Sequence, residues 1–155
     1  MQKRDSDIPL LDQPSISYLL VDTFWNVEVL SEVDSTQNYL KASKKISSGD
    51  VVVSEYQTAG RGRSNRTFEA ERSESLLFSF YIEPKRARNE WGFIPLIAGL
   101  AVVNVLNRQS GLAEINFKAK WPNDVLALNL NNEKNLKSGK KVSGVLTESH
   151  HDGLI

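Results

Sequence analysis

A short stretch of the chain, "EYQTAGRGRSNRTF" at residues 55–68, combines arginines with glycines in a pattern that could bind an anion. Arg61, Arg63 and Arg66 follow Gly60 and Gly62, and no acidic residue lies among them. Glycines allow backbone N–H groups to approach a ligand, and each guanidinium offers a planar fork of donors to a phosphate or carboxylate. The stretch therefore indicates a site for a phosphorylated ligand, although a solvated, charged hairpin loop explains the residue types equally well.

The known nucleotide-binding patterns do not fit this stretch. A dinucleotide fingerprint needs three glycines ahead of a helix, whereas this stretch has two, and a strand follows it. A P-loop needs Gly-Lys-Ser/Thr, which is absent here. Gly-Arg segments that bind RNA repeat within disordered tails, but this one lies between two predicted strands.

Lysines and a glycine form a second group of candidate residues, in "KAKWPND" (118–124) and "KKVSG" (140–144). Alternation places Lys118 and Lys120 on one face of a strand. Gly144, inside a later strand, would permit a ligand to approach closely beside Lys141. A solvated face is the alternative for the lysines. The other residues have structural alternatives too: packing and strand termination for Trp121 with Pro122, a turn for Asn123 and Asp124, and a bulge for Gly144.

A third group lies in "DSTQ" (34–37), at the predicted start of a helix. N-capping explains these residues well, and a helix N-terminus also offers free N–H groups to a polar ligand. No activated Ser, Cys or His nucleophile is evident in the sequence. Together the three groups favour chemistry that positions two substrates and neutralises charge, rather than covalent catalysis.

The elements that must position these residues predict an α+β fold, with a mixed, largely antiparallel sheet and helices packed on one side. Residues 1–17 are predicted to be a flexible N-terminal arm, and residues 18–155 the folded domain. The longest helix candidate, residues 89–111, is apolar on most sides and is expected to lie buried against the sheet. The predicted strands lie in "WNVEVL" (25–30), "DVVVSEY" (50–56), "SLLFSFYIEP" (75–84), "EINFKAKWPND" (114–124), "DVLAL" (124–128) and "KVSGVLTES" (141–149).

Composition narrows the class of protein. The chain has 155 residues, 19 basic and 19 acidic side chains and no cysteine, which excludes disulfides and cysteine nucleophiles and argues against a general polyanion binder. The N-terminus lacks the features of a signal peptide. The most apolar stretch, residues 91–106, is shorter than a membrane span of roughly 20 residues. We expect a cytoplasmic protein that binds neither membrane nor nucleic acid.

The last residues, "ESHHDGLI" (148–155), read as a strand, a turn and the start of another strand, because Asp152-Gly153 is a hairpin signal. The chain is therefore expected to stop within its fold. The adjacent His150 and His151 make a poor metal site on their own.

Four motifs occur in a specific order: "SEVDSTQNYL", "EYQTAGRGRSNRTF", "KWPNDVL" and "KKVSGVLTE". In this order they resemble the catalytic domain of biotin–protein ligases, from about residue 28 to the end of the chain. The resemblance implies a fold like that of the class II aminoacyl-tRNA synthetases, a mixed sheet flanked by helices. It also implies a C-terminally incomplete catalytic domain without a winged-helix DNA-binding domain.

The resemblance implies a two-step activity. Biotin reacts with ATP and Mg²⁺ to give biotinyl-5′-AMP, and a lysine of a biotin carboxyl carrier protein, from acetyl-CoA carboxylase or a related enzyme, then takes up the biotinyl group. No protein ligand for the metal is assigned. The oligomeric state stays open, a homodimer included. The alternatives are a lipoate–protein ligase or octanoyltransferase on the related fold, and an inactive biotin-binding fragment. A nucleic-acid-binding module is disfavoured by the neutral charge.

The family motifs assign roles to particular residues. Arg63 and Lys141 match the catalytic cations. The positions that contact biotin or biotinyl-AMP are matched by Ser35, Thr36, Gln37, Gln57, Arg61, Gly62, Arg63 and Lys141. Supporting positions are matched by Gly60, Arg66, Lys120, Trp121, Asn123, Asp124 and Gly144.

Three residues depart from the family pattern. Gln37 stands where Asn is usual, Asn65 where the loop usually has Gly, and Phe68 where Trp is usual. Because Asn tolerates the left-handed conformation, the turn is expected to survive at Asn65. We expect these departures to change affinity and kinetics rather than the class of reaction.

Overall fold

The computed structural model describes residues 10–109, 111–112, 114–132 and 136–155. These residues form two compact units, one running to Pro84 and including Glu148–Ile155, and the other comprising Lys85–Thr147. Both units combine strands with helices, as the predicted α+β class requires. The helices and longer strands are α1 (Gln13–Leu19), β1 (Asn26–Leu30), α2 (Thr36–Ala42), β2 (Asp50–Ser54), β3 (Leu77–Phe80), α3 (Ile94–Gln109), β4 (Ile115–Lys120), β5 (Asp124–Asn129) and β6 (Lys140–Gly144), and a short pair, β7 (Ser149–His150) and β8 (Gly153–Leu154), follows.

The first unit contains a mixed sheet in the order β1-β2-β3. Strands β1 and β2 are parallel, with Val27 opposite Val51, and β3 is antiparallel to β2, with Phe80 opposite Val51. A parallel pair needs a crossover connection, and α2 lies in it. One face of this sheet carries a buried cluster of Leu40, Val52, Tyr81 and Ile155, so α2 is held by its single apolar side.

Helix α1 corrects the prediction of a loose arm for residues 13–17. Asp12 caps the helix by accepting a hydrogen bond from the Ser15 N–H at 2.9 Å, and Pro14 lies in its first turn. Proline is tolerated there because a first-turn N–H has no partner within the helix. The Gln13 Oε1 atom accepts from the Val29 N–H at 3.1 Å, which ties the helix to β1. Residues 1–9 lie outside the described part of the chain, so the prediction for them stays untested.

The predicted hairpin at the end of the chain is confirmed. Strands β7 and β8 are antiparallel, with Ser149 opposite Leu154 and His150 opposite Gly153. The turn residue with positive φ is His151, at 51°, whereas Gly153 already lies in the second strand. A Cβ atom on Gly153 would lie 2.3 Å from the Ile82 carbonyl oxygen and 2.6 Å from the Tyr81 ring, so this close packing requires glycine.

The second unit contains an antiparallel sheet in the order β4-β5-β6, with α3 against β4. Val125 is fully buried at the centre of the sheet. The Asn107 side chain of α3 accepts from the Phe117 N–H at 2.9 Å and donates to the Phe117 carbonyl at 3.0 Å. Because β4 is an edge strand, these two bonds satisfy backbone groups that no other strand reaches.

The prediction that the long apolar helix is buried was wrong. Among the described residues of α3 only Gly99 is buried, while Ile97 and Val105 are 63% and 59% exposed. The helix is apolar on several sides, and one small sheet covers only one of them.

A 3₁₀ segment, Arg88–Phe93, precedes α3 and lengthens the helical run to residues 88–109. By length and composition alone this run could cross a membrane, a test that the core helix of a soluble protein also passes. This helical run is longer than residues 91–106, the stretch whose short length argued against a membrane span. The absence of a membrane span stays a prediction.

Candidate functional site

The start of helix α2 is held by side chains that the sequence assigned to a ligand site. Ser35 is the N-cap, and its side chain accepts from the Asn38 N–H at 3.4 Å. Ser35, Thr36 and Gln37 are all buried, at 2–5% exposure. The predicted N-cap is therefore confirmed, and it lies inside the first unit rather than on its surface.

Gln57 links the segment that follows β2 to this helix start. Its Oε1 atom accepts from the Thr36 N–H at 2.8 Å and from the Thr36 hydroxyl at 3.0 Å. The same hydroxyl lies 2.8 Å from the Ser79 Oγ atom of β3. A single, partly buried network thus fixes the side chains of Thr36, Gln57 and Ser79 relative to one another.

Residues 60–68, which we call the arginine loop, form a small hairpin. The Phe68 N–H donates to the Gly60 carbonyl at 2.8 Å, and the Gly62 N–H donates to the Arg66 carbonyl at 2.7 Å. The left-handed residue is Ser64, with φ 55° and ψ 42°. Ser64 directly precedes Asn65, the position at which we expected the turn to survive, and a tight turn is present at this point of the loop.

Within the arginine loop the three arginines differ in surroundings. Arg61 donates to the Glu148 carboxylate at 2.9 Å and to the Asn38 side-chain oxygen at 3.1 Å, while Arg63 and Arg66 are exposed. Glu148 also pairs with Lys41 of α2 at 2.7 Å. Sequence reasoning missed Glu148, Lys41 and Asn38, because no local pattern reveals a contact between residues 61 and 148.

Two ionisable groups near this loop have lowered pKa values. Burial raises the pKa of Glu148, but its hydrogen bond and charge interaction with Lys41, together with Arg61, outweigh burial and lower it overall. Burial, followed by the charges of His151 and Lys41, lowers the pKa of His150. The His150 Nε2 atom is buried and has no hydrogen-bond partner among the described residues. Both side chains therefore bind a proton less readily in the folded protein than in the unfolded chain.

We expect the first unit to lose stability as the pH falls from neutral. A histidine whose folded pKa lies below its ordinary 6.5 binds a proton in the unfolded chain first, so stability decreases as the pH drops through and below that value. Glu148 adds a second loss below its ordinary pKa of 4.5. Thermal melts between pH 7.5 and 5, an interval of about one unit either side of histidine's usual pKa, would measure the first slope.

A pair of variants separates the buried histidine from its neighbour. His150→Asn should flatten the slope of melting temperature between pH 7 and 5, the range around the usual histidine pKa of about 6.5. His151→Asn should keep most of the slope, because His150 is still present. The fold should also be kept, because Asn tolerates the positive φ of that turn residue. An equal slope in wild type and His150→Asn would contradict the assignment.

In the second unit, Lys141 and Asp124 form an ion pair across neighbouring strands. The Lys141 Nζ atom lies 2.8 Å from Asp124 Oδ1. Asp124 is opposite Gly144, and Leu126 is opposite Lys141, with a register shift between Val125 and Leu126. Val142 is thus the extra residue of a bulge, which turns Lys141 onto the face that carries Asp124 and Gly144.

Gly144 makes room for the Lys141 side chain. A Cβ atom on Gly144 would lie 3.0 Å from both Cε and Nζ of Lys141. The sequence left a bulge at Gly144 as the alternative to close approach. The bulge lies at Val142 instead. At Gly144 the structure has close approach, and the approaching group is the Lys141 side chain.

Two residues of the "KWPND" motif lie beside this pair along the strands. Lys120 is opposite Asp124 across β4 and β5, and the Asn123 side chain donates to the Val145 carbonyl at 2.9 Å. The turn lies at residues 121–123, and Asp124, which we also considered for a turn, begins β5. Trp121 is 77% exposed, so its ring is not packed, which was the structural alternative for this residue. The indole lies beyond the end of the strand, where the alternation of buried positions no longer applies.

The candidate residues thus fall into two groups. The first unit brings together Ser35, Thr36, Gln57 and the arginine loop, and the second brings together Lys120, Asn123, Asp124, Lys141 and Gly144. Within the described part of the chain, no group of three or more His, Asp or Glu side chains could hold a metal ion. Each group supplies cations and fixed polar donors, which suits binding and neutralising an anion.

Residues 29–155 match a family model described as the biotin/lipoate A/B protein ligase family. The chain belongs to this family. All four motifs that carried the resemblance lie within the matched range, and the fold expected from it is confirmed by solved structures of biotin protein ligases.

Relatives of this ligase family give the scale of the similarity. The bifunctional ligase/repressor BirA of Bacillus subtilis is 32% identical over 121 residues, which are 78% of this chain and 33% of that protein. The biotin–[acetyl-CoA-carboxylase] ligase of Mycobacterium tuberculosis is 32% identical over 158 residues, 96% of this chain and 54% of that protein. The Aquifex aeolicus biotin protein ligase, solved with biotin and ATP, is 40% identical with a TM-score of 0.65, covering 83% of this chain and 49% of that one. This chain therefore spans between a third and about half of these three ligases.

Proposed function

We propose that this chain acts in the ATP-dependent attachment of biotin to a lysine of a biotin carboxyl carrier protein. The observation that carries the proposal is the 40% identity to an Aquifex aeolicus biotin protein ligase whose structure contains biotin and ATP. The candidate groups supply what such a reaction needs, namely a buried polar network for a neutral ring and cations for a carboxylate and phosphates.

In the first step, a biotin carboxylate oxygen attacks the α-phosphorus of ATP. A bond forms between that oxygen and phosphorus, the bond to the β-phosphate oxygen breaks, and pyrophosphate leaves. Negative charge builds on the phosphorus centre, and fixed cations stabilise it without rearrangement. Lys141, held in place by Asp124, is the cation that we assign to this role.

In the second step, the ε-amine of a carrier lysine attacks the acyl carbon of biotinyl-5′-AMP. An amide bond forms, AMP leaves, and the amine loses its proton. Because an acyl-adenylate hydrolyses, the intermediate must be kept from water. We assign this protection to the arginine loop, whose glycines would let it close over the intermediate.

The biotin ring would meet the network at the start of α2. Thr36 and Gln57 bind each other, so their positions are set before a ligand arrives. Gln37 is one methylene longer than the usual Asn and donates from Nε2 to the Ile155 carbonyl at 3.1 Å. We infer that the longer side chain serves this backbone contact as well as the ring.

Mg²⁺ is implied by the family resemblance. The described residues contain no cluster of three or more His, Asp or Glu ligands for it. Magnesium commonly binds through substrate phosphates with one or two carboxylates, so it would enter with ATP. No step assigned to the residues above depends on a metal held by the protein alone.

Biotin-dependent exchange of labelled pyrophosphate into ATP tests the first step. We expect exchange with biotin and none above background with lipoate or octanoate. Exchange with lipoate alone would instead support a lipoate–protein ligase, the other branch of the matched family. Biotin binding by calorimetry without exchange would indicate the inactive biotin-binding alternative.

Arg63→Ala should weaken retention of biotinyl-AMP more than binding of biotin. A charge-assisted hydrogen bond contributes about 1.5–3 kcal/mol, so the adenylate should dissociate roughly 10–100-fold faster. Release of labelled adenylate from the preformed complex would be timed, with biotin affinity measured in parallel. Arg86→Ala is the control, since Arg86 lies outside the loop and its side chain is 81% exposed. Unchanged adenylate release from Arg63→Ala would refute the assignment.

A further inference from the structure

Glu148 connects the arginine loop to helix α2 through two cations at once. Its Oε1 atom lies 2.9 Å from Arg61 Nη2, and its Oε2 atom lies 2.7 Å from Lys41 Nζ. Resting on the proposed function, we propose that Glu148 is a positioning residue that fixes Arg61 and thereby holds the arginine loop in place for biotinyl-AMP.

The backbone of Glu148 is held by hydrogen bonds to the end of the hairpin. The Glu148 N–H donates to the Ile155 carbonyl at 2.8 Å, and the Ile155 N–H donates back to the Glu148 carbonyl at 3.0 Å. The hairpin that continues from Glu148 is tied to the chain after β3, where Ile82 and Leu154 exchange hydrogen bonds of 2.9 Å in both directions. Glu148 therefore has a rigid backbone, which lets it act as an anchor for a loop.

Arg61 is held at a second point as well. Its Nη1 atom donates to Asn38 Oδ1 at 3.1 Å, and Asn38 Nδ2 donates to Asp34 Oδ2 at 3.1 Å. The base of the loop is fastened separately, since the Ala59 N–H donates to the Asp34 carbonyl at 2.8 Å. Removing Glu148 should thus free the loop beyond residue 60 while leaving its base attached.

The exposure of the Glu148 side chain distinguishes it from an ordinary surface partner. The side chains of Lys41 and Glu148 are each 26% exposed, which sets them apart from freely solvated ion pairs that contribute little. Each oxygen of Glu148 pairs with a different cation, and Arg61 receives one of these two contacts. Because Asn38 joins Asp34 to Arg61, the two cations face two carboxylates and the cluster is close to neutral.

Hydrogen exchange measures the loop directly and needs no ligase activity. The amides of Gly62, Arg66 and Phe68 are hydrogen-bonded within the loop. In Glu148→Gln they should exchange about five- to tenfold faster than in wild type, while amides of β2 and β3 stay unchanged. Equal loop exchange in wild type and Glu148→Gln would overturn the proposal.

A matched control comes from another carboxylate of the same unit. Glu32 pairs with Arg72 away from the arginine loop, so Glu32→Gln should leave loop exchange unchanged. If Glu148→Gln speeds exchange throughout the unit, it has destabilised the fold, and Arg61→Gln then decides the matter. That variant removes the group through which Glu148 holds the loop and should free the same loop amides, and normal protection in it would also overturn the proposal.

Adenylate retention tests whether the held loop serves the reaction. In Glu148→Gln, biotinyl-AMP should dissociate about five- to tenfold faster, a larger effect than the fall in the exchange rate at saturating biotin and ATP. A purely structural role would lower both together. Glu148→Asp should restore part of the retention, because it keeps the charge. If wild type forms no adenylate, the proposed function fails, whereas the hydrogen-exchange result still decides whether Glu148 holds the loop.

Discussion

Lys141→Gln should lower the rate of biotin-dependent ATP–pyrophosphate exchange by about a hundredfold or more, the usual effect of removing a group that stabilises charge in a transition state. The ammonium group is held 2.8 Å from Asp124, over a glycine that leaves space for it. Glutamine keeps most of the length and polarity but removes the charge. Exchange rates at saturating substrates would measure the loss, and calorimetry would show whether biotin still binds.

Lys140→Gln is the matched control, because it removes the same charge one residue earlier on β6. Lys140 is opposite Ala127, three pairs away from the Asp124–Gly144 pair. The control should keep exchange within about threefold of wild type. Equal losses in the two variants would show that general positive charge, rather than the placement of Lys141, supports the reaction.

Gly153→Ala should lower the free energy of unfolding by about 3 kcal/mol, at the upper end for overpacking a filled site. The added methyl would lie 2.3 Å from the Ile82 carbonyl oxygen and 2.6 Å from the buried Tyr81 ring. Tyr81 is 1% exposed and belongs to the buried cluster beside Leu40, so neither neighbour can move without disturbing the core. Urea denaturation, followed by the midpoint and slope, would measure the change.

Gly99→Ala provides the opposite case. Gly99 is also buried, yet apart from its chain neighbours and the backbone of its own helix no described atom lies within 4 Å of the position its Cβ would take. In the middle of α3, alanine should stabilise the helix by up to about 1 kcal/mol, because glycine has the poorer helix propensity.

If Gly153→Ala changed stability by less than about 0.5 kcal/mol, the usual range for surface positions, the close packing around β8 would be refuted.

Local chemistry explains what the sequence predicted well. The N-cap at Ser35, the strand Asp50–Ser54 and the turn that ends β4 each depend on a few consecutive residues. The four motifs assigned residues to a ligand site because their order is specific to the ligase family, and that assignment stays a prediction. For one of these residues, Gln57, the structure adds a hydrogen bond to Thr36.

Long-range geometry explains what the sequence missed. The contact between Arg61 and Glu148 joins residues 87 positions apart, and it exists only because the last hairpin bonds to Ile82. The bulge at Val142 depends on the register of two strands, which periodicity does not reveal. The exposure of α3 depends on how much sheet surrounds it, whereas its composition indicates only that most of its sides are apolar.

The bulge at Val142 has a consequence for insertions and deletions. The phase of Lys141 is set within β6, where Asp124 pairs with Gly144 and Val125 with Ser143. Residues gained or lost before Lys140 would be absorbed ahead of the strand. A single deletion between 141 and 144 would instead rotate the lysine to the opposite side. The start of β6 therefore separates the connection before it, whose length is free to vary, from residues 141–144, whose spacing is fixed.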